Sequence, residues 1–281
     1  MMERRIAILY ICTGYYDVFF EAFYKSCEAY FLPNSLKHYF VFTDSQKDWF
    51  GAENITKIYQ ENLGWPDNTL KRFHMFDRIS EKLAEYDYIF FFNANVEFMM
   101  PIKEDILPEN GLIAVLHPGY YNKPRERFTY ETNPQSLACI SAEEGEVYVC
   151  GGVNGGTASA YLEMIKELKR RIDVDESNGI IALWHDESHW NRYIIGRNDV
   201  TLLGPDYCYP DLYDIPGYVQ RIRLIWKQAV FKVNVWKLRG TRPSLRLRIT
   251  EFMQKRKVKE YLAKREAERI DYLKANGEAN G

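Results

Sequence analysis

The chain is poor in cysteine, with five in 281 residues, at positions 12, 27, 139, 150 and 208. An odd count without a CxxC pair or a Cys/His ligand spacing excludes a disulfide-stapled domain and a structural zinc site. It points to reduced thiols in a reducing compartment. No run of about 18 apolar residues occurs, so a transmembrane helix is not expected. The opening MMERRIAILYICTG has a short apolar run and no small-residue cleavage site, and reads as a first strand rather than a signal peptide. GxxxxGK[ST], HExxH and a GxGxxG that opens a helix are all missing, which removes the simplest P-loop, zinc-protease and dinucleotide readings. Internal repeats and low-complexity linkers are missing from residues 1–220.

Net charge is also scarce, at −2, but it is unevenly placed: residues 1–220 carry −13 and residues 221–270 carry +12. An acidic body is joined to a basic segment. The composition, 46% hydrophobic and 15% aromatic, suits a packed domain rather than a disordered chain. Residues 5–11, 39–43 and 87–92 are short apolar runs typical of buried strands. Helical spacing of aromatics fills 19–31, and an amphipathic helix is predicted over 69–85 with Asn68 or Thr69 as its cap. Strands are further expected over 111–116 and 147–150, and helices over 157–172, 186–195 and 245–270, the second entered through Asp186 as N-cap. Alternation of strand and helix predicts an α/β domain with a largely parallel sheet.

Four segments hold residues suited to chemistry. Asn93-Ala94-Asn95 ends a buried strand, where open α/β sheets bind ligands; the pair reads equally as turn-forming asparagines. Sugar transferases often carry DxD here, but neutral amides are poor ligands for a hard dication, so no metal is implied. Trp184-His185-Asp186-Glu187-Ser188-His189 places an aromatic ring beside two carboxylates, one way to build a sugar site; the two histidines at i, i+4 also fit a polar helix start. Cys150-Gly151-Gly152 and Gly155-Gly156 allow either a close ligand approach to the backbone or two adjacent tight turns. His117-Pro118-Gly119-Tyr120-Tyr121 and Phe128-Thr129-Tyr130-Glu131 are rich in rings but do not by themselves define a function.

Taken together and in order, HPGYYNKPRERFTYE at 117–131, NPQS at 133–136, CGGVNGG at 150–156 and SNGIIALWHDESHWNRY at 177–193 resemble glycosyltransferase family six, the histo-blood-group A/B and α-1,3-galactosyltransferase family with bacterial members. The resemblance runs from about residue 5 to about residue 227. It implies a GT-A fold, with a Rossmann-like nucleotide half (1–97) merged with a donor-sugar and acceptor half (98–227), followed by a basic, partly helical tail (228–281). It implies retaining transfer of N-acetylgalactosamine or galactose from a UDP-sugar, forming an α-1,3 link to a galactose-terminated acceptor, fucosylated or not. Carried across by position, Ile11, Thr13 and Tyr16 match the segment that holds uracil and ribose. Arg72, Gly151, Gly152 and Asp186 match donor-sugar contacts, and Asn93 and Asn95 occupy the DxD positions. Glu187 matches the acid nearest the anomeric carbon, and it borders the acceptor. His117, Thr129 and Trp184 match acceptor contacts.

The sequence departs from the mammalian pattern at two places. Asn93 and Asn95 replace aspartates, as in bacterial relatives that resemble this chain and work without metal, so no metal or other cofactor is expected. The leaving UDP then needs a cation from the protein, and Lys227 is the candidate. After Tyr207 the chain reads Cys208-Tyr209-Pro210-Asp211 where mammalian members carry an aspartate used in acceptor recognition. Donor choice turns on bulk at Cys150 and Gly152, and glycine at 152 favours N-acetylgalactosamine with some galactose transfer. A catalytically inactive UDP-sugar- or glycan-binding protein is the alternative. For the basic segment, with Trp226, Phe231 and Trp236 among its cations, the expectation is peripheral attachment of a cytoplasmic protein to the anionic inner membrane face, not nucleic-acid binding.

Overall fold

A computed structural model describes residues 4–47, 51–227 and 245–275. Its centre is a seven-stranded sheet. The strands are β1 (Arg5–Ile11), β2 (Leu36–Thr43), β3 (Ile55–Tyr59), β4 (Tyr88–Phe92), β6 (Leu112–Leu116), β7 (Val149–Thr157) and β8 (Val200–Leu203), in the spatial order β3-β2-β1-β4-β7-β6-β8. Every neighbouring pair is parallel except the two made by β7, which runs antiparallel to β4 and β6. A second sheet joins β5 (Val96–Phe98), β10 (Ile222–Leu224) and β9 (Tyr209–Pro210). The architecture is the GT-A fold expected from the sequence.

Alternation along β1 explains why both faces of the sheet are covered. Ile6, Ile8 and Tyr10 pack against the aromatics of α1 (Phe20–Tyr30), whereas Ala7 and Leu9 face the opposite layer. That layer is built from three short helices, α2 (Asp67–Leu70), α3 (Arg72–Asp77) and α4 (Ser80–Leu83), together with the long α5 (Ala158–Ser177) and α6 (Asp186–Ile194). Strands buried on both faces read as continuous apolar runs, as YIFFF of β4 does.

Three local expectations change. The predicted helix over 69–85 is broken into α2, α3 and α4, and α2 starts at Asp67 with no side-chain cap from Asn68 or Thr69. The Ser80 hydroxyl bonds back to the Asp77 carbonyl, a local alternative to helix continuation. The glycines 151–156 form no tight turns but lie inside β7. Glycine is required at 155 because a Cβ there would lie 2.3 Å from the Phe90 ring on the neighbouring strand. Asp186 is the first residue of α6 and not its cap; His185 precedes it at φ 54°, ψ −124°.

The antiparallel strand matters for function. Because β7 runs against β4, its beginning lies beside the carboxyl end of β4, and Asn93 N–H donates to the Gly152 carbonyl at 2.8 Å. Asn191 then locks α6 to that strand. Its amide oxygen accepts from Val149 N–H and its NH₂ donates to the Val149 carbonyl, both at 2.9 Å, with a further bond to the Glu187 carbonyl. The last described element, α7 (Leu245–Ala275), docks through its second half. Arg269 donates to the Met99 carbonyl (2.8 Å) and the Tyr30 hydroxyl (2.9 Å), Lys264 pairs with Asp214 at 2.7 Å, and Arg265 lies over the Tyr209 ring. The first half exposes Leu245, Ile249, Phe252 and Met253. Phe231, Trp236 and Pro243 lie outside the described residues.

Asn191→Ala should leave buried Val149 groups without partners and destabilise the fold by about 2–4 kcal/mol, read as a lower urea midpoint with an unchanged slope.

Candidate active site

A cavity of about 410 Å³ opens at the carboxyl ends of β1 and β4. This is the switch point of the sheet, where the chain turns from building outward on the β2 side of β1 to building on the β4 side. Ile11, Thr13 and Tyr16 form one wall, Asn93 and Asn95 lie at the end of β4, and Arg72 and Lys227 supply cations. Seven residues expected to contact the nucleotide or donor sugar thus line one space. Lys227 Nζ stands over the Tyr16 ring, 5.0 Å from its centroid.

Asn93 and Asn95 differ in their contacts. A Cβ at Gly152 would stand 2.4 Å from Asn93 Nδ2, so the amide of Asn93 occupies the space above that glycine. Asn95 donates its side-chain NH₂ to the Ile225 carbonyl at 2.9 Å, while its own carbonyl accepts from Ile225 N–H at 2.8 Å. It therefore pins the segment that carries Lys227. A carboxylate at 95 could not make that donation. Both positions offer a dication only neutral oxygens, and one amide is committed elsewhere, so the donor set fits a hard divalent cation poorly. Among the described residues a cation-sized group of ligands occurs at His74, Asp173 and Glu176, on α3 and α5, and its carboxylates already pair with Lys169 and Lys71.

Behind the cavity lies a buried ion pair. Arg72 Nε stands 2.9 Å from Asp186 Oδ2, and Arg72 Nη1 donates to the Gly151 carbonyl at 2.5 Å. The guanidinium lies over the Phe91 ring at 4.3 Å. Burial raises the Asp186 carboxyl to about 6, and the Arg72 charge opposes that rise. Glu187, one residue on, faces the start of β7. Its Oε2 accepts from Gly151 N–H at 2.7 Å and its Oε1 accepts from the Tyr148 hydroxyl at 3.0 Å. Burial raises this carboxyl to about 7, with the Gly151 N–H pulling the other way and neighbouring Asp186 adding to the rise.

The three expected acceptor residues gather on the other side of Glu187. Trp184, 46% exposed, donates its indole N–H to Thr129 Oγ1 at 2.9 Å. The His117 ring edge meets the Tyr148 ring at 5.6 Å, and its Nδ1 accepts from Gly119 N–H; burial lowers its pKa to about 4, so it is neutral. The two histidines of the α6 segment diverge: His185 meets Trp65, and buried His189 faces Asp175 at 3.6 Å. They share no metal, in line with a polar helix start. Cys150 is a core residue, 4% exposed, whose thiol meets that of Cys208, and it is not among the residues lining the cavity. All five cysteines are free.

Tyr148 is not foreseen from sequence, nor is the segment 62–66 leading into α2, which walls the cavity with Trp65 at its rim. That loop has no hydrophobic period, and Tyr148 looks like one more core aromatic. Their only local signals are the Gly64-Trp65-Pro66 turn and the placement of Tyr148 two residues before Cys150.

A cavity at the switch point of an α/β sheet, with buried carboxylates behind it and a cluster of aromatic rings beyond, suits a glycosyl-group transferase. The chain belongs to glycosyltransferase family 6, whose model matches residues 3–235. It is similar to the O-antigen biosynthesis glycosyltransferase WbnI of Escherichia coli, 37% identical over 209 residues, which cover 74% of this chain and 89% of that protein. Histo-blood group ABO system transferase 1 of Rattus norvegicus is 31% identical over 234 residues (80% and 67%). Globoside alpha-1,3-N-acetylgalactosaminyltransferase 1 of Homo sapiens is 30% identical over 230 residues (79% and 66%). The protein is therefore a glycosyltransferase, acting on a nucleotide-sugar donor and a glycan acceptor.

With its pKa raised to about 7, Glu187 gains its charge as pH rises through that value. The expected role of Glu187 as an ionised carboxylate therefore gives an acid limb. Accordingly kcat/KM should rise with pH across this range and level off above it, in initial rates corrected for stability.

Proposed function

We propose that the enzyme moves N-acetylgalactosamine, and galactose less well, from UDP to the 3-hydroxyl of a galactose-terminated acceptor, with retention and without a divalent metal. The observation that carries this reading is the placement of Glu187. Its carboxylate is fixed at both oxygens, by Gly151 N–H on β7 and by the hydroxyl of Tyr148, whose ring meets His117. The name of one similar protein, globoside alpha-1,3-N-acetylgalactosaminyltransferase 1, supports the linkage and the sugar.

In this reading uracil and ribose lie along Ile11, Thr13 and Tyr16, and the diphosphate points toward Asn93 and Lys227. The sugar rests on Gly151 and Gly152 with a hydroxyl at Asp186. The bond from the anomeric carbon to the diphosphate oxygen breaks with its electrons leaving on UDP, whose charge is met by Lys227. Glu187 faces the electron-poor carbon, and stabilises or attacks it, as a carboxylate does in retaining glycosidases. The acceptor oxygen then bonds to the same face the leaving group vacated, releasing Glu187 where it has bonded, and its proton passes to the departing diphosphate oxygen. Arg72 keeps Asp186 charged and oriented. His117, Thr129 and Trp184 hold the acceptor, the indole by stacking on its apolar face.

The basic segment belongs to the same proposal as a membrane contact. No helix among the described residues is long and apolar enough to cross a membrane. The exposed Leu245, Ile249, Phe252 and Met253 recur at helical spacing, with basic residues interleaved along the sequence. This pattern supports lying on an anionic leaflet.

Four outcomes test these statements. Glu187→Gln should lower transfer by about 10³-fold while UDP affinity, by calorimetry, changes less than about two-fold; a near-native rate would remove Glu187 from the chemistry. Activity should persist in excess EDTA, and a requirement for Mn²⁺ would refute the metal-free reading. Phe252→Glu with Met253→Glu should weaken co-sedimentation with phosphatidylserine vesicles; unchanged binding would refute the contact. An inactive binding protein is separated by UDP release, which should rise when a β-galactoside is added.

A further inference from the structure

Three strand ends meet at the segment that carries Lys227. In the small sheet β10 runs antiparallel to β5 and parallel to β9. Asn95 therefore stands just before β5, Ile225 just after β10, and Asp211 just after β9. Asn95 holds both backbone groups of Ile225. Asp211 holds the residues on either side. Its Oδ1 accepts from Arg223 Nε at 2.6 Å, and its Oδ2 accepts from Arg223 Nη2 at 3.1 Å and from Trp226 N–H at 2.9 Å. Its own N–H donates to the Leu224 carbonyl at 3.1 Å. Each residue from 223 to 226 is thus bonded to Asn95 or Asp211, and Lys227 comes next.

Three N–H groups converge here on one carboxylate, and that residue is 2% exposed. A carboxylate has two acceptor oxygens and no hydrogen, so it can take all three. An asparagine in its place would turn an NH₂ group toward N–H groups. The two parallel bonds from the guanidinium fix direction as well as distance. Arg223 is held from its other side too: Nη1 donates to Glu97 Oε2 at 3.1 Å, and Glu97 is its partner across the β5–β10 pair. Asp211 does not line the cavity. Its bonds run instead to the segment that leads to Lys227.

We infer that Asp211 is a positioning residue for Lys227: it fixes the backbone from which the ammonium group reaches over the Tyr16 ring at the cavity wall. All of these bonds lie within the protein, so the cation is placed by the fold. A charge already in place needs no reorganisation as negative charge develops on a leaving diphosphate. The consequence for UDP rests on the proposed role of Lys227; the pinning of 223–226 does not.

The test uses the full-length protein and two ligands, UDP and uridine, which differ by the diphosphate. Calorimetry gives the ratio of their affinities, which general damage to the nucleoside pocket leaves unmoved because both ligands share it. Lys227→Ala should lower the preference for UDP about ten-fold. Asp211→Asn should lower it by a similar factor, and the double variant should lower it no further. Without ligand, hydrogen exchange of the peptide spanning 222–227 should quicken about ten-fold in Asp211→Asn, while β1 and β4 keep their rates. Unchanged exchange in that peptide, a preference that moves in only one of the single variants, or losses that add in the double variant overturn the inference. If Asp211→Asn fails to fold, Arg223→Lys, which keeps the opposite charge and removes the fork, replaces it under the same criteria. Faster exchange with an unmoved preference in both single variants would uphold the pinning and remove only the reading of Lys227 as the cation at UDP.

Discussion

The buried contact of Arg72 with Asp186 and the Gly151 carbonyl is the interaction on which the site depends. It joins α3, α6 and β7, three elements distant in sequence, at the carboxyl end of β4. Both side chains are almost wholly buried, at 4% and 3% exposure. Their desolvation is opposed by mutual attraction, by the Phe91 ring under the guanidinium and by backbone N–H groups at the start of α6. Removing one partner would strand the other, at a cost of about 3–5 kcal/mol. The same arrangement fixes the next residue: with Asp186 turned toward Arg72, Glu187 meets Gly151 N–H and Tyr148. A stability requirement and a chemical requirement are therefore met by adjoining carboxylates of one helical turn.

That turn also accounts for the strained residue before it. His185 adopts φ 54°, a region that side chains other than glycine rarely occupy, and its ring meets Trp65 on the rim of the cavity. The kink lets Trp184 face outward while Asp186 faces inward. One tight segment thereby presents an exposed ring on one side and two carboxylates on the other.

Much of this was legible from sequence, and the reason differs by element. The strands β1 and β4 were plain because runs buried on both faces are apolar without interruption. Asn93 and Asn95 were found because polar residues end such a run. Their separate tasks were not visible, since Asn95 is explained by Ile225, 130 residues away. The glycines of β7 looked like turns because what makes them strand residues is the Phe90 ring and the Asn93 amide on a neighbouring strand. The break of 69–85 into three helices falls at Lys71 and Ile79, whose backbone leaves the helical region, which a hydrophobic period does not register. Tyr148 was hidden among 21 tyrosines, and its hydroxyl acquires meaning only when α6 is placed beside β7. The charge asymmetry was legible as composition, but not the docking of the second half of α7, where Arg265 and Arg269 meet rings and backbone carbonyls of the body.

The central claim is that Glu187 faces the reacting carbon of a nucleotide-bound sugar in a site that uses no metal. A crystal structure of Glu187→Gln with UDP-N-acetylgalactosamine, grown in the presence of Mn²⁺, tests it most directly. The anomeric carbon should lie about 3–3.5 Å from the residue-187 side chain, with the sugar against Gly151 and Gly152 and the diphosphate beside Asn93 and Lys227 with no ion bridging it. A sugar placed away from residue 187, or a manganese ion coordinated by the diphosphate and Asn93, would contradict it.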